Sequence, residues 1–358
     1  MATAMNPRAA KTWARRSVLF GLTLCLCLCV AEVVLRLQAP LRMAGIQSAY
    51  QYDPDLGLRL RPGTQAWESS DYLKEVWVNS LGTVNFQESF DSYSVRVFAL
   101  GDSYTQGTGS SVDASYPFQL DLALNQDESG QYLPNYAVVN LGLAAFGGEQ
   151  SLIALRRYAE ALGPPRACLY LGSENDYSDD LLFLAGYRHQ QIVEGSPSWG
   201  WLVEPALWAT RFEVFKRLKI AVSQLRRKPI LSGVSAEPAS SDRPSASIAE
   251  QSWDAIARIR DTCRGYGAPI ILSWASPGGS YAWLQTRAAQ EDILFADWWP
   301  SVQSVLDAVP DAPLSNPHSG GHWRPWINRS IAQAFEREVR ALALLPADAS
   351  TSQTLLKQ

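Results

Sequence analysis

The sequence contains few of the residues that build metal and redox sites. Only three of its 358 residues are histidines and five are cysteines, and no two cysteines are spaced as C-x-x-C. A glycine-rich phosphate-binding loop ending in Gly-Lys is also missing. These absences argue against a thioredoxin-like dithiol, a zinc site built on cysteine pairs and a nucleotide-binding loop. We therefore expect neither a metal nor a nucleotide cofactor.

A strong positive charge is missing as well. The 31 basic residues are outnumbered by 35 acidic ones, so that the formal net charge is −4. Four of the basic residues lie in the first sixteen positions, which contain no acid: Arg8, Lys11, Arg15 and Arg16. The remainder of the chain is therefore more acidic still, and it should not attract nucleic acid. A hydrophobic content of 47% is typical of a folded domain.

One long apolar run is present near the N-terminus. Residues 17–35 are apolar or small except for Glu32, a length that fits one membrane-spanning helix. The basic flank before the run predicts a cytoplasmic tail over 1–16, an anchor over 17–36 and an extracytoplasmic remainder, in the periplasm if the source is Gram-negative. A cleaved signal peptide is the main alternative, although no A-x-A site follows the run.

The cysteines divide into two groups. Cys25, Cys27 and Cys29 lie in the apolar run, where a thiol behaves as a small hydrophobic group. Cys168 and Cys263 are able to pair in an oxidising compartment. Each of these two also lies in a pattern typical of a buried strand or helix, and we interpret them as two separate core thiols.

From about residue 95 the chain alternates between apolar runs of strand length and helical patterns. The runs are RVFAL, AVVNL, ACLYL, PIILSWA and DILFA. Continuous apolar strands between amphipathic helices indicate a parallel sheet covered on both faces, a three-layer flavodoxin-like α/β sandwich. We place a linker or capping region at 37–94, the main domain at 95–345 with an irregular insertion at about 187–247, and a tail at 346–358.

The segment RVFALGDSYTQG contains the strongest local signal for chemistry. A buried strand ends in Gly-Asp-Ser, and a helical pattern starts soon afterwards. Such a turn presents the hydroxyl of Ser103 at the carboxyl end of a parallel strand, where open α/β sheets bind ligands. Because Gly, Asp and Ser are also common turn residues, the tripeptide alone is equally compatible with an ordinary turn.

Four segments, in this order, resemble the sequence blocks of the SGNH/GDSL hydrolase superfamily: GDSYTQG, VVNLGLAAFGGEQ, LYLGSENDYSDD and PHSGGHWRPW. The resemblance covers roughly residues 50–345. It implies an SGNH hydrolase fold in which Ser103 is the nucleophile and His322 is the catalytic base. It further implies that the Ser103 and Ala145 backbone N–H groups and the Asn175 side chain form the oxyanion hole. In this chain alanine stands at 145 in place of the family's glycine.

Two of these assignments have alternatives. Asn175 is also suited to cap the helix that starts at Asp176. His318 is the rival of His322, and we favour His322 because His-Trp followed by a helical pattern fits the family's last block better.

One departure from the family pattern affects catalysis. The family carries an acid three residues before the histidine, and here that position is Ser319. The enzyme then works either with a Ser103–His322 dyad or with an acid from elsewhere, such as Asp176 or Asp297. The third interpretation is a decayed site. Loss of the acid of a catalytic triad lowers the rate by about 10⁴-fold where the imidazole tautomer is no longer held.

The resemblance and the anchor together imply a single-pass inner-membrane serine esterase. Its substrate would be an acyl ester, with acetyl on an envelope or exported polysaccharide as the working hypothesis. An O-acetyltransferase that uses the same serine is the first alternative, because only the acceptor of the acyl group differs. A non-catalytic glycan-binding or scaffold protein is the second.

Overall fold

A computed structural model describes residues 7–38, 49–69, 73–127, 129–185, 212–215, 217–218, 246–316 and 321–344. The strands are β1 (Tyr50–Asp53), β2 (Gly57–Leu60), β3 (Gln65–Ser69), β4 (Leu73–Trp77), β5 (Val95–Gly101), β6 (Tyr136–Asn140), β7 (Ala167–Gly172), β8 (Ile270–Trp274) and β9 (Leu294–Phe295). The helices are α1 (Pro7–Gln38), α2 (Ser103–Gln106), α3 (Tyr116–Leu124), α4 (Gly148–Leu162), α5 (Asp176–Leu184), α6 (Ala246–Gln251), α7 (Trp253–Gly265), α8 (Gly279–Gln290), α9 (Trp299–Ala308) and α10 (Pro325–Ala341).

Five strands form the central sheet in the order β6-β5-β7-β8-β9, and every neighbouring pair is parallel. Strands β7 and β8 are buried along their whole length, which is why they appear in the sequence as unbroken apolar runs. The chain moves outward from β5 to β6 and then back across the sheet. Right-handed crossovers therefore place α3 on one face and α4 and α7 on the other. The three-layer architecture predicted from the sequence is confirmed.

Region 49–77 forms more structure than the predicted linker or cap. Strands β1 and β2 make one antiparallel hairpin, and β3 and β4 make another. The first hairpin is attached to the sandwich by Arg157 of α4, which donates to both carboxylate oxygens of Asp53 at 2.7 and 2.9 Å. Gln150 of the same helix donates to the backbone oxygen of Leu56. Apolar side chains of the hairpins form a second, smaller core with Leu143 and Phe146.

The interpretation of Cys168 and Cys263 as separate thiols is wrong, since the two form a disulfide with Cα atoms 6.5 Å apart. Strand β8 follows α7 after a short turn and pairs with β7, so that Cys168 N–H donates to the backbone oxygen of Pro269. The last turn of α7, which contains Cys263, is thereby brought to the start of β7. Local patterns correctly indicate that both residues are buried, but only the strand pairing brings them together.

Helix α1 contains a 23-residue stretch, Arg15–Leu37, that is long and apolar enough to cross a membrane. Its most apolar window is not buried against the rest of the chain, and side chains such as Phe20 are 70% exposed. The one carboxylate in the run, that of Glu32, accepts from Arg36 and from the backbone N–H groups of Glu213 and Val214. Most of the predicted insertion at 187–247 lies outside the described residues.

Candidate active site

Ser103 lies where strand β5 turns into helix α2. The neighbours of β5 are reached by crossovers on opposite faces, so that this strand end is the topological switch point where open sheets bind ligands. Gly101 makes the turn possible with φ of +143°. A Cβ atom there would lie 2.4 Å from Thr105 Oγ1 and 2.6 Å from the backbone oxygen of Leu171. Asp102 caps α2 by accepting from the Tyr104 N–H at 2.8 Å. Ser103 is thus held half-exposed at the first position of the helix.

His322 reaches Ser103 from the loop before α10. Its Nε2 lies 2.7 Å from Ser103 Oγ, as expected for a nucleophile and its base. The Tyr104 ring lies beside the imidazole with the ring centroids 4.9 Å apart. Of the two rival histidines, the structure therefore brings His322 to Ser103, while His318 lies outside the described residues.

The His322 loop is held by side chains that sequence reasoning did not single out. Asn316 donates its backbone N–H to the His322 oxygen at 2.8 Å, and its buried amide donates to the backbone oxygen of Gly109. Trp323 donates through Nε1 to the backbone oxygen of Ala275. Asn316 stands directly before a proline, a pattern that indicates a turn. The pattern does not reveal that Asn316 forms hydrogen bonds with the His322 loop. These bonds fix the direction from which the imidazole approaches Ser103.

Ala145 adopts φ of +65°, the left-handed conformation for which the family's glycine is suited. The loop that carries it is tied to α2, because the neighbouring Ala144 N–H donates to Gln106 Oε1 at 2.7 Å. Within the described part of the chain, neither the Ser103 N–H nor the Ala145 N–H has a hydrogen-bond acceptor. Both predicted backbone donors are therefore available for a ligand oxygen.

Asn175 does not cap α5 with its side chain, contrary to the alternative drawn from the sequence. Its Nδ2 donates to the Asp179 carboxylate at 2.6 Å, and its Oδ1 accepts from Ser173 Oγ at 2.6 Å. Because Ser173 Oγ also lies 2.8 Å from Asp102 Oδ2, the asparagine belongs to the same polar cluster as the Gly101–Ser103 turn. A carboxamide nitrogen carries two protons, and the bond to Asp179 uses one of them.

The carboxylates that the sequence offered as catalytic acids are engaged elsewhere. Asp176 accepts from the Tyr170 hydroxyl at 2.6 Å and from the Ser173 N–H, and Asp297 accepts from Tyr281 at 2.6 Å. In these contacts, neither Asp176 nor Asp297 takes the place of the family's acid beside the imidazole. Ser319 lies outside the described residues.

Two carboxyl groups near Ser103, those of Asp102 and Asp176, are fully buried. Burial raises the pKa of Asp102, although the Tyr104 N–H, the Ser173 hydroxyl and the positive charge of His322 oppose the effect. Burial, followed by the negative charge of Asp102, raises the pKa of Asp176 well above its usual range. Burial also raises the pKa of Tyr104 to about 12, so this phenol stays neutral near His322. In the part of the chain that the structure describes, no group of three His, Cys, Asp or Glu side chains could hold a metal ion.

No protein-family model and no curated protein matches this chain. Solved structures similar to it include a lipolytic G-D-S-L family member from Veillonella parvula DSM 2008, with 12% identity and a TM-score of 0.38 over 70% of this chain and 100% of that chain. TesA has 14% identity and a TM-score of 0.39, over 69% of this chain and 99% of that chain. The α/β hydrolase LAE5 from the Lake Arreo metagenome has 13% identity and a TM-score of 0.37, over 70% of this chain and 97% of that chain. The structures that this chain resembles thus include lipolytic proteins of the G-D-S-L family, whereas the assignment of its site rests on the geometry of its own residues.

Proposed function

We propose that this chain is a membrane-anchored, extracytoplasmic serine esterase of the SGNH/GDSL class with Ser103 as its nucleophile. The 2.7 Å contact between Ser103 Oγ and His322 Nε2, at the switch point of a parallel sheet, is the observation that carries the proposal. A serine hydroxyl is a weak nucleophile until an adjacent base accepts its proton. In this geometry the His322 imidazole is suited to act as that base.

In the first half of the reaction, the Ser103 oxygen attacks the ester carbonyl carbon while its proton passes to His322 Nε2. The carbonyl oxygen becomes an oxyanion, for which the Ser103 N–H, the Ala145 N–H and the second Nδ2 proton of Asn175 are the proposed donors. Each such donor stabilises the transition state by about 3–4 kcal/mol. The tetrahedral intermediate collapses when the imidazolium protonates the departing alcohol oxygen.

In the second half, His322 takes a proton from water and the hydroxide attacks the acyl-serine. The same donors stabilise the second oxyanion. Collapse releases the carboxylic acid and returns the proton to Ser103. Each proton and each leaving group in the proposed cycle passes between the chain, the ester and water.

Two observations support a location outside the cytoplasm. The Arg15–Leu37 stretch presents apolar side chains that are not buried within the chain, as a membrane span would. The Cys168–Cys263 disulfide is of a kind that persists in oxidising compartments and is rare in the cytosol. We therefore propose a single-pass inner-membrane anchor with the α/β sandwich on the periplasmic side.

We propose an acetyl ester of an envelope or exported polysaccharide as the substrate. A membrane-tethered site facing the periplasm would meet such polymers, and the Ser103 and Ala145 N–H groups are the proposed donors for the ester oxygen. The test is release of acetate from O-acetylated polysaccharide, compared with hydrolysis of p-nitrophenyl esters of increasing acyl length. Turnover confined to long acyl chains would contradict the acetyl assignment, and transfer of acetyl to added sugar would identify a transferase.

The catalytic assignment is tested with the full chain in detergent micelles. We expect p-nitrophenyl acetate hydrolysis and labelling by a fluorophosphonate probe, both abolished by Ser103→Ala. Ser129→Ala is the matched control, because Ser129 lies on an exposed loop and its hydroxyl donates to the exposed, nearby Asp127. Equal turnover by Ser103→Ala and the unchanged protein would rule out Ser103 as the nucleophile.

A further inference from the structure

Asn175, the proposed side-chain donor of the oxyanion hole, can serve the reaction in only one of its two orientations. The two ends of a carboxamide have nearly the same shape, but the nitrogen carries two protons to donate and the oxygen only accepts. An oxyanion is stabilised by the nitrogen end and repelled by the oxygen end. The groups around the Asn175 amide therefore decide whether it acts as a donor.

The contact at the oxygen end of the amide does not fix this orientation. Oδ1 of Asn175 lies 2.6 Å from Ser173 Oγ. A hydroxyl both donates and accepts hydrogen bonds, so that Ser173 is able to bond to either end of the amide. The preference for one orientation therefore comes from the group at the opposite end.

Asp179 is the group at the nitrogen end. It lies one helical turn after Asn175, in α5, and its Oδ2 accepts from Asn175 Nδ2 at 2.6 Å. Burial raises the pKa of Asp179 and the Asn175 hydrogen bond lowers it. Because the side chain is partly exposed, its carboxyl is ionised near neutral pH, and an ionised carboxylate only accepts. The reversed amide would place its oxygen against this negative charge.

The other contacts of Asp179 do not explain its position. In the described part of the chain, Asn175 is the side chain that bonds to the Asp179 carboxylate, and no cation pairs with it. The next residue differs, since the Asp180 carboxylate accepts from the Glu149 N–H and supports the start of α4. An acid in the first turn stabilises a helix by its charge alone. The short, charge-assisted bond to Asn175 is therefore more than α5 requires.

The nitrogen end of Asn175 also faces the turn that carries Ser103. Burial raises the pKa of Asp102, and a hydrogen bond from Asn175 is among the effects that lower it. Such a bond comes from the amide nitrogen, since the amide oxygen has no proton. The orientation that Asp179 favours is thus the one that presents an N–H group toward the proposed nucleophile.

We infer that Asp179 is a positioning residue that holds the Asn175 carboxamide with its nitrogen toward the ester oxygen. The inference deepens the proposed esterase function and rests on it for its catalytic consequence. The charge-assisted bond restrains the amide before the substrate arrives. Donors that are already in place stabilise an oxyanion best, because they need no reorganisation during the reaction.

A double-mutant cycle on the full chain in detergent micelles tests the inference. Asn175→Ala should lower kcat for p-nitrophenyl acetate by about 10²-fold, the usual effect of losing one oxyanion donor. Asp179→Ala should lower kcat by about tenfold with KM unchanged, because the donor is kept but is misoriented for part of the time. In the Asn175→Ala background, Asp179→Ala should have no further effect, since the residue acts through the amide.

Asp254→Ala is the matched control for the cycle. Asp254 is an exposed acid in the first turn of α7, so that its loss removes the same kind of helix charge at a different place. We expect kcat to stay unchanged in this variant. An unchanged kcat in Asp179→Ala would overturn the inference, and so would a tenfold loss that persists in the Asn175→Ala background.

The side-chain amide signal of Asn175 provides a measurement that does not need turnover. In protein made with isotope-labelled asparagine, a nitrogen–proton correlation spectrum contains this signal, and Asn175→Ala identifies it by its loss. One of its two protons should lie at lower field because it donates to a carboxylate, and the two should converge in Asp179→Ala but not in Asp254→Ala. A signal that Asp179→Ala leaves in place would overturn the inference. If the unchanged protein hydrolyses no ester, the proposed function fails, while this signal still decides whether Asp179 holds the amide.

Discussion

The Oγ atom of Ser103 lies 2.7 Å from Nε2 of His322, although 219 residues separate the two along the chain. Ser103 is placed by the end of β5, and His322 by a loop whose backbone and neighbouring side chains bond to Asn316 and Ala275. Each side chain is held in place by its own segment of the chain. The contact is therefore a property of two independently supported segments.

The first prediction concerns the choice of base. His322→Gln should lower kcat/KM for p-nitrophenyl acetate by about 10³-fold or more, because the hydroxyl then has no proton acceptor. His318→Gln should leave the activity close to that of the unchanged protein. Activity should be lost on acidification, since a protonated imidazole cannot accept the Ser103 proton. Equal losses in the two glutamine variants would contradict the assignment.

The second prediction concerns Ala145, whose φ of +65° is costly for a residue with a Cβ atom. Ala145→Gly removes about 1 kcal/mol of backbone strain but adds a similar entropy to the unfolded chain, so that stability should change by less than about 1 kcal/mol. The N–H donor is kept, and esterase activity should be retained. Ala145→Val should lower both stability and kcat, because a β-branched residue is a true outlier there. Urea unfolding and ester kinetics measure the two effects.

The third prediction concerns the turn before the nucleophile. Gly101→Ala should destabilise the chain by about 3 kcal/mol or more, because the new Cβ would overlap Thr105 Oγ1 and the Leu171 oxygen. Gly130→Ala is the matched control, since its φ is also positive but nothing lies within 4 Å. We expect it to cost about 1 kcal/mol. Similar melting temperatures for the two variants would show that the crowding at Gly101 is unimportant.

The fourth prediction concerns the disulfide. Replacing both Cys168 and Cys263 by Ala opens a loop of 95 residues and should lower the free energy of unfolding by about 4–5 kcal/mol. A reductant should lower the melting temperature of the unchanged protein toward that of the double variant and have no effect on the variant itself. Peptide mapping without reductant should recover the linked pair, and finding both thiols free in protein extracted from the membrane would contradict the bond.

The fifth prediction concerns pH and Asp121, a buried residue of α3. Burial raises the pKa of its carboxyl to about 6 from an ordinary value of 3.8. Because the folded-state pKa is the higher one, the associated stability is fully present below pH 3.8 and is lost as the pH rises through about 6. Its contribution should therefore increase by about 1 kcal/mol between pH 7 and pH 5. Asp121→Asn should remove this increment, measured as the difference between the two proteins in urea unfolding at both pH values.

Much of this architecture could be predicted from local pattern. The apolar runs that form β5, β7 and β8 are buried on both faces. A strand buried in this way consists almost entirely of apolar residues, so it can be recognised in the sequence. Ser103 and His322 were identified because their blocks resemble a known family in order and content. Local pattern does not show where one helix ends and the next begins, as at Ser252, which separates α6 from α7. The composition of a short segment does not reveal such a break.

The sequence by itself determined that an apolar N-terminal helix precedes a parallel α/β sandwich with a serine at a strand end. Only the tertiary structure decided which groups that serine meets. The Cys168–Cys263 bond, the left-handed conformation of Ala145 and the contacts of Ser173 with Asp102 and Asp176 all depend on segments brought together by strand pairing. Periodicity reports whether a side chain is buried, because burial depends on one residue and its near neighbours. The hydrogen-bond partner of a side chain and the shift of its pKa depend on which distant segment packs against it. That segment is known only from the complete fold.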